Sequence, residues 1–159
     1  MSGFIPTLFD RLLGEQSSGT PRGIIATLTM EQLKDSVARD LEALLNTRVA
    51  LPPGLLDAYP RCRNSILNYG LMDFAGLCLS SADDRAAICA SLKYAIECHE
   101  PRLRNVVAAL EAAGGDVNKL NFVINATLVV DDASEAVNFN AVLQPSSLHY
   151  SISKLRAPR

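Results

Sequence analysis

Charged side chains gather around a proline in the middle of the chain, with Glu97 and Glu100 before Pro101 and with Arg102 and Arg104 after it. Two carboxylates about 5–10 Å apart can cleave a glycosidic bond, one as the acid and the other as the base or nucleophile. Glu97 and Glu100 are three residues apart, so they would share a helix face if the helix continued through Glu100. This spacing raises the possibility of hydrolytic chemistry.

Asp73 is a further carboxylate, and Glu100 or Glu97 with Asp73 defines one hypothesis, a peptidoglycan-cleaving, lysozyme-like hydrolase. Two arguments disfavour it. Acidic groups at a helix C-terminus oppose the helix dipole. An arginine partner favours the ionised form of a carboxyl group, whereas a general acid must hold its proton. Because Arg102 and Arg104 lie within reach of Glu100, the pattern argues against hydrolysis at this place, and we assign no catalytic residue here.

The same residues have a geometric interpretation. Proline fixes the backbone bend, so Glu100 and Arg102 are held at a stiff corner. Arginine offers a planar fork that suits carboxylates and protein interfaces. Two roles remain open for this corner: an internal ion pair that braces the bend, or a docking surface for a partner, with Glu100, Pro101, Arg102 and Arg104 as the candidate partner-binding residues.

Composition excludes several other classes of function. The chain has 159 residues, a net charge of −2 and a pI near 5.6, so it has no overall basic field for nucleic acid. No apolar run approaches the roughly 18 residues of a membrane span, and the N-terminus lacks the features of a secretory signal. We therefore expect a cytoplasmic protein without membrane insertion. Four cysteines stand apart, with no C-x-x-C pair, and we expect neither a metal nor a cofactor.

The first 28 residues are predicted to form a separate arm. Residues 2–13 have the apolar spacing of a short amphipathic helix, and the following Gly-, Ser- and Pro-rich stretch is typical of a flexible linker. The arm could fold back onto its own core or bind a partner. Residues 29–159 are then predicted to form a single domain.

Helices are predicted in the first half of that domain. Thr29 and Gln32 form a capping box before an apolar stripe that ends near Asn46. Residues 61–70 suggest another short helix closed by Gly70. Ser81 begins a further helix, which should stop at Glu100 because Pro101 disfavours helical geometry in the residue before it.

After Pro101 the apolar period changes from helical to alternating. Residues 120–130 and 137–143 predict two strands of an antiparallel hairpin. Residues 102–116 fit either a helix or a strand, and their place between a helix-ending proline and a Gly-Gly turn favours a strand. Residues 148–155 could add a short last strand through Leu148, Tyr150 and Ile152. The predicted fold class is α+β, with N-terminal helices packed on a C-terminal antiparallel β-sheet of three to four strands.

The second of the hairpin strands has no lysine or proline to guard it as an edge. Such an edge can accept a strand from another chain by β-augmentation. The alternative is that the C-terminal tail covers this edge. The candidate partner-binding residues on the strand are Val137, Asn138, Phe139, Asn140 and Val142.

Several segments in the same order resemble a known family. They are "SVARDLEALLNTR" (36–48), "SILNYGLMDFAG" (65–76), "EPRLRNV" (100–106) and the strands "LNFVINATL" and "VNFNAVL", with "PTLFDRLLG" near the N-terminus. Together they are similar to the TssE family of bacterial type VI secretion systems, which belongs with the baseplate wedge proteins of contractile-tail phages. Members of this family were formerly labelled lysozyme-like.

The resemblance implies a non-enzymatic, cytosolic baseplate component. It implies that Glu100, Pro101 and Arg102 form the family's Glu-Pro-Arg motif, which docks onto the wedge subunits TssF and TssG, beside TssK. It also implies that the C-terminal strands imitate the strand-exchange region of the sheath subunits TssB and TssC, and so start sheath polymerisation. This chain departs from the family pattern at Ala43, where an aromatic residue is common, and at Met72, where proline is usual.

Three hypotheses follow. The leading one is a baseplate adaptor that docks through the charged corner and templates the first sheath ring by strand addition. The second is the hydrolase described above. The third is a small stand-alone regulator with the same fold, which fold alone does not exclude.

Overall fold

The elements of the chain run from helices to strands, in the predicted order. The computed structural model describes residues 4–6, 27–52, 54–74, 76–78, 81–111, 120–144 and 147–154. Within these ranges it has two α-helices, three short 3-10 turns and one four-stranded sheet.

Helix α1 spans Met30–Asn46 and begins at the predicted capping box. The Thr29 hydroxyl accepts the Gln32 backbone N–H, and the Gln32 side chain accepts the Thr29 backbone N–H. The predicted apolar stripe is the buried face of the helix: Leu33, Val37, Leu41, Leu44 and Leu45. Helical periodicity in the sequence therefore identified correctly which side of α1 enters the core.

The segment between the helices forms 3-10 turns, at Leu55–Ala58, Pro60–Cys62 and Ile66–Asn68, and this corrects the short helix expected over residues 61–70. The Ser65 hydroxyl donates to the Cys62 carbonyl and accepts the Leu67 N–H, while the Asn68 side chain donates to the Arg63 carbonyl. Such bonds from side chains to the backbone compete with an α-helical pattern.

Gly70 lets this segment approach the end of α1. Its φ is +124°, and a Cβ at this position would lie 2.6 Å from the carbonyl oxygen of Thr47. The Leu71 N–H donates to that same carbonyl at 2.8 Å, and the Val49 N–H donates to the Leu71 carbonyl. A side chain at Gly70 would therefore force this contact apart.

Helix α2 spans Ala82–His99, with the Ser81 hydroxyl accepting the Asp84 N–H at its start. It ends where Pro101 predicts: Glu100 has left helical geometry (φ −119°, ψ 81°), although its N–H still donates to the Ile96 carbonyl. The proline therefore places Glu100 at the boundary between the helix and the following strand.

The sheet contains β1 (Leu103–Leu110), β2 (Leu120–Val130), β3 (Ala133–Gln144) and β4 (His149–Lys154). All neighbours are antiparallel, in the order β1-β2-β3-β4. The α+β class is confirmed, as are the strand chosen for the ambiguous segment and the last strand. The turn between β2 and β3 is shorter than predicted: only Asp131 and Asp132 separate the strands, and Asp131 takes a φ of +52° that aspartate tolerates.

The core lies between one face of the sheet and the two helices. Helix α1 packs on β4 and helix α2 packs on β1. The alternating residues of the hairpin point inward as predicted, and the buried ones are Phe122, Ile124, Ala126, Leu128, Val137, Phe139, Ala141 and Leu143.

Phe4 joins this core from the N-terminal arm. It is 7 % exposed and forms an antiparallel bridge with Leu28, with hydrogen bonds in both directions. The rest of the predicted amphipathic helix and linker, residues 7–26, lies outside the described residues.

Candidate functional site

The charged corner predicted from the sequence is a partly buried ion-pair cluster, which we call the triad: Asp40, Glu100 and Arg102. Arg102 donates through Nε to Glu100 Oε1 at 2.6 Å and through Nη2 to Glu100 Oε2 at 2.5 Å. The same Nη2 also donates to Asp40 Oδ2 at 2.5 Å. Glu100 is 4 % exposed, so its charge is compensated inside the protein rather than by water.

Asp40 is the member of the triad that sequence reasoning missed, because it lies 62 residues before Arg102. It stands three residues after Val37 and four before Leu44, and both of these are buried. That spacing puts its carboxylate at the border of the buried face of α1, the one signal in the sequence that could have pointed to it.

Arg102 remains ionised in this setting. Burial disfavours its charge, but hydrogen bonds and attraction from Glu100, and then from Asp40, more than offset this and raise the pKa of Arg102 above its usual value. Its remaining nitrogen, Nη1, is buried and has no hydrogen-bond partner among the described residues. The fork of Arg102 is thus directed at the protein's own carboxylates, as the bracing interpretation predicts.

The other members of the corner face outward. Pro101 and Arg104 are exposed. They are the candidate partner-binding residues of the corner whose side chains are open to a partner.

The carboxylates of the hydrolase hypothesis differ in their surroundings. Glu97 is exposed and lies 3.8 Å from Lys93, whereas Glu100 has left the helix and is buried in the triad. Asp73 lies on the exposed connecting segment. Since both oxygens of Glu100 accept N–H groups from Arg102, this carboxylate has the geometry of a paired anion.

A half-enclosed groove of about 500 Å³ borders the triad. One wall belongs to α1 and the other to the corner, and its apolar lining is Leu41, Ala43, Leu44, Tyr69 and Pro101. The ring of His99, which also lines the groove, is held by contact of its Nε2 with the Asn68 carbonyl at 2.8 Å and by an edge-on contact with Tyr69. Charged residues also line the groove, with Arg39 and Asp40 on the side of α1 and Glu100 and Arg102 on the side of the corner.

The second predicted site, on β3, differs from expectation. Strand β4 pairs with Phe139–Gln144, so Phe139, Asn140 and Val142 lie on an inner strand and not on a free edge. The expectation of an unguarded edge is wrong over this stretch, and the alternative, a covering tail, is correct. Strand β4 covers β3 because the ring of Tyr150 is fully buried, and pairing with β3 brings that ring into the core.

Strand β3 extends past the described end of β4. Lys154 lies opposite Phe139, and no described residue pairs with Ala133–Asn138 on that side. The register with β2 directs the backbone groups of Ala136 and Asn138 away from β2, toward the side that β4 occupies farther along. Val137 is buried and Asn138 is exposed.

The outer edge of β4 is closed by side chains of α1. Asn46 accepts the Tyr150 N–H and donates to the Tyr150 carbonyl, both at 2.8 Å, and Glu42 accepts the Ile152 N–H at 2.9 Å. At the opposite edge of the sheet, β1 carries a bulge in which Asn105 and Val106 face a single residue of β2. Both devices hinder strand addition at the ends of the sheet.

Comparison with known proteins gives one family. A sequence model described as "Baseplate wedge protein gp25" matches residues 31–133, which span α1, the connecting segment, α2, the triad and the first two strands. A search of curated proteins returned no match. Within the described residues, neither helix combines the length and the apolar character that crossing a membrane requires.

Proposed function

Because the chain belongs to the baseplate wedge protein gp25 family, we propose that it is a TssE-type structural subunit of the cytoplasmic baseplate of a type VI secretion system. The family match confirms the resemblance to contractile-tail wedge proteins that the ordered segments indicated. In this proposal the protein docks on TssF and TssG, beside TssK, and starts polymerisation of the sheath subunits TssB and TssC.

The observation that carries the sheath role is the length of β3. Its residues 134–138 present backbone groups on the side of β4, where no described residue pairs with them. An incoming sheath strand would lie in line with β4 and bond to Ala136 and Asn138, as in other cases of β-augmentation. Asn140 and Val142, already paired with β4, would then support the adjacent end of the acceptor strand.

The wedge role is assigned to the corner. Pro101 and Arg104 provide its exposed surface, and the triad fixes its shape through Glu100 and Arg102. A rigid surface of this kind loses little conformational entropy on binding, which favours a permanent structural contact.

A proline substitution tests strand addition. Ala136→Pro removes one outward N–H from the exposed part of β3, so we expect wedge binding to persist while the number of sheaths per cell falls at least ten-fold. The measurement is fluorescence microscopy of labelled sheath together with co-purification of TssF and TssG.

Ala136→Ser is the matched control, since it changes the side chain and keeps the N–H. Sheath counts in the serine variant should equal those of the unchanged protein. Normal sheath assembly in a folded Ala136→Pro variant would contradict strand addition at this position. Failure of the unchanged protein to co-purify with TssF and TssG would contradict the baseplate role itself.

A further inference from the structure

Among the described residues, β4 pairs with only the second half of β3. In their antiparallel register Gln144 faces His149 and Phe139 faces Lys154. The same register would set residues 155–159, which follow Lys154 in the sequence, opposite residues 134–138 of β3. Residues 155–159 lie outside the described residues. The segment that follows β4 is therefore long enough to cover the part of β3 that has no described partner on this side.

The directions of the hydrogen bonds favour this continuation of β4. The backbone N–H groups of Tyr150 and Ile152 point away from β3 and donate to side chains of α1. Successive N–H groups of a strand point to opposite sides, so every second residue after Ile152 would also direct its backbone nitrogen away from β3. Position 158 falls on that outward side, and it is a proline. Proline has no N–H to donate, and at an outward position of an edge strand none is needed for pairing.

The side chains of this segment also fit the alternation of β4. Tyr150 is buried and Lys154 is half-buried, so residue 156 would stand on the same inward side, opposite Val137 and diagonal to Glu135. Residue 156 is an arginine. The side chain of Glu135 is 44 % exposed and accepts Lys34 Nζ at 2.7 Å. An arginine at position 156 would therefore meet a carboxylate that is still open on one side.

We propose that residues 155–159 extend β4 along β3 in the free subunit, and that this segment must leave before a sheath strand binds to Ala136 and Asn138. The inference rests on the proposed function and adds its regulation, since the acceptor edge stays covered until assembly. Because the segment is joined to β4, its effective concentration at this edge is high. A sheath strand arriving from solution would then compete poorly with it.

Deletion of residues 155–159 tests the pairing. The N–H groups of Ala136 and Asn138 would lose their acceptors, so we expect these amides to exchange with deuterium at least ten-fold faster in the variant than in the full chain. Hydrogen exchange resolved by NMR measures this. The amide of Val142, which lies opposite Ser151, is the control and should exchange at the same rate in both proteins. Equal exchange of Ala136 and Asn138 in both proteins would overturn the pairing, and if it slowed with protein concentration the occupant would be a second copy of the chain.

A matched pair of substitutions tests the register. Ala157→Pro removes an N–H that the register directs at Ala136, whereas Ala157→Ser keeps it. The proline variant should exchange at least ten-fold faster at Ala136, and the serine variant should exchange like the full chain. Equal exchange at Ala136 in the two variants would overturn this register.

Binding of a purified TssB–TssC complex tests the competition. We expect the variant that lacks residues 155–159 to bind this complex at least ten-fold more tightly than the full chain. Faster exchange with unchanged affinity would overturn the inference, because the segment would pair with β3 without hindering the sheath, while the baseplate role would stand. If neither protein binds TssB–TssC, the sheath role in the proposed function fails, and the competition fails with it even where exchange shows the pairing.

Discussion

Arg102 and Glu100 form a largely buried ion pair in which each side chain compensates the charge of the other. Their side chains are 18 % and 6 % exposed, so water contributes little to either charge. In such a pair, removal of one partner leaves the other charge uncompensated, which costs more than the pair itself contributes. The corner is therefore expected to respond to mutation as a structural element as well as a binding surface.

Arg102→Met should lower the free energy of unfolding by about 3–5 kcal/mol, because the carboxylate of Glu100 stays buried with no cationic partner and keeps only the backbone N–H of residue 102 as a donor. Urea denaturation followed by circular dichroism measures this. The double variant Glu100→Gln with Arg102→Met should recover part of the loss. Arg104→Met, at an exposed position, should change stability by less than about 0.5 kcal/mol. An Arg102→Met variant as stable as the unchanged protein would show that the triad does not brace the corner.

Tyr150 provides a prediction about pH. Its ring is fully buried, its hydroxyl has no partner among the described residues, and burial raises the pKa of Tyr150 to about 12. Since the pKa of an unfolded tyrosine is near 10, the stability that depends on the neutral hydroxyl is complete below about pH 10 and is lost as the pH rises toward 12.

Tyr150→Phe should remove the loss of stability above pH 10 that ionisation of the Tyr150 hydroxyl causes. At pH 7 we expect the variant to be as stable as the unchanged protein or about 1 kcal/mol more stable, because a buried hydroxyl without a partner is deleted. Between pH 10 and 12 the unchanged protein should lose about 2–3 kcal/mol relative to the variant. Parallel urea titrations at pH 7, 10 and 11.5 measure the difference. If the difference in unfolding free energy between the two proteins stayed constant from pH 7 to 11.5, burial would not raise the pKa of Tyr150 in the folded protein.

At the scale of elements, the contact between α1 and β4 decides which backbone groups of the sheet are available. Asn46 pairs with both backbone groups of Tyr150 as another strand would, and Glu42 does the same for the Ile152 N–H. Lys154 adds ion pairs to Asp35 and Glu31 near the end of β4. Helix α1 thus protects the edge of β4 and leaves the exposed part of β3 as the acceptor in our proposal.

Asn46→Ala should loosen β4. Two hydrogen bonds to Tyr150 are lost, so we expect the free energy of unfolding to fall by about 1–3 kcal/mol and the amide of Tyr150 to exchange with deuterium at least ten-fold faster. Hydrogen exchange resolved by NMR measures both effects. Glu42→Gln, which keeps an acceptor for Ile152, is the control. Unchanged exchange at Tyr150 in the Asn46→Ala variant would indicate that β3 alone holds the strand.

For the whole molecule, the positions of Glu97 and Glu100 disfavour the lysozyme-like hydrolase hypothesis. Glu97 is exposed beside Lys93, and Glu100 is buried in the triad with both oxygens accepting from Arg102. A glycosidase needs two carboxylates that face one substrate across the scissile bond. Glu97 lies in α2, whereas Glu100 follows the last residue of the helix, because Pro101 disfavours helical geometry in the residue before it.

We therefore expect neither the purified protein nor Glu100→Gln to release soluble fragments from peptidoglycan. Hen egg-white lysozyme in the same turbidity assay provides the positive control. Release by the unchanged protein that is lost in a folded Glu100→Gln variant would contradict the structural role and favour the hydrolase.

Most of the local structure was predictable because it depends on neighbours in the chain. The Thr29 capping box, the buried stripe of α1, the end of α2 before Pro101 and the alternation along β2 and β3 all follow from spacing. The segment over residues 61–70 was not, since the side chains of Ser65 and Asn68 bond to the backbone in a way that helix propensity does not include.

The amino-acid sequence by itself determined the two α-helices, the strands of the β2–β3 hairpin and the stiff corner at Glu100–Arg102, because each depends on residue types at short spacing. The ordered segments along the chain indicated the family. Only the tertiary structure decided that Asp40 completes the triad, that β4 covers the middle of β3 and that α1 protects the edge of β4. The contacts of Asp40 with the triad and of α1 with β4 join residues 62 to 110 positions apart. No short-range pattern in the sequence specifies which of several possible partners will meet at such distances along the chain.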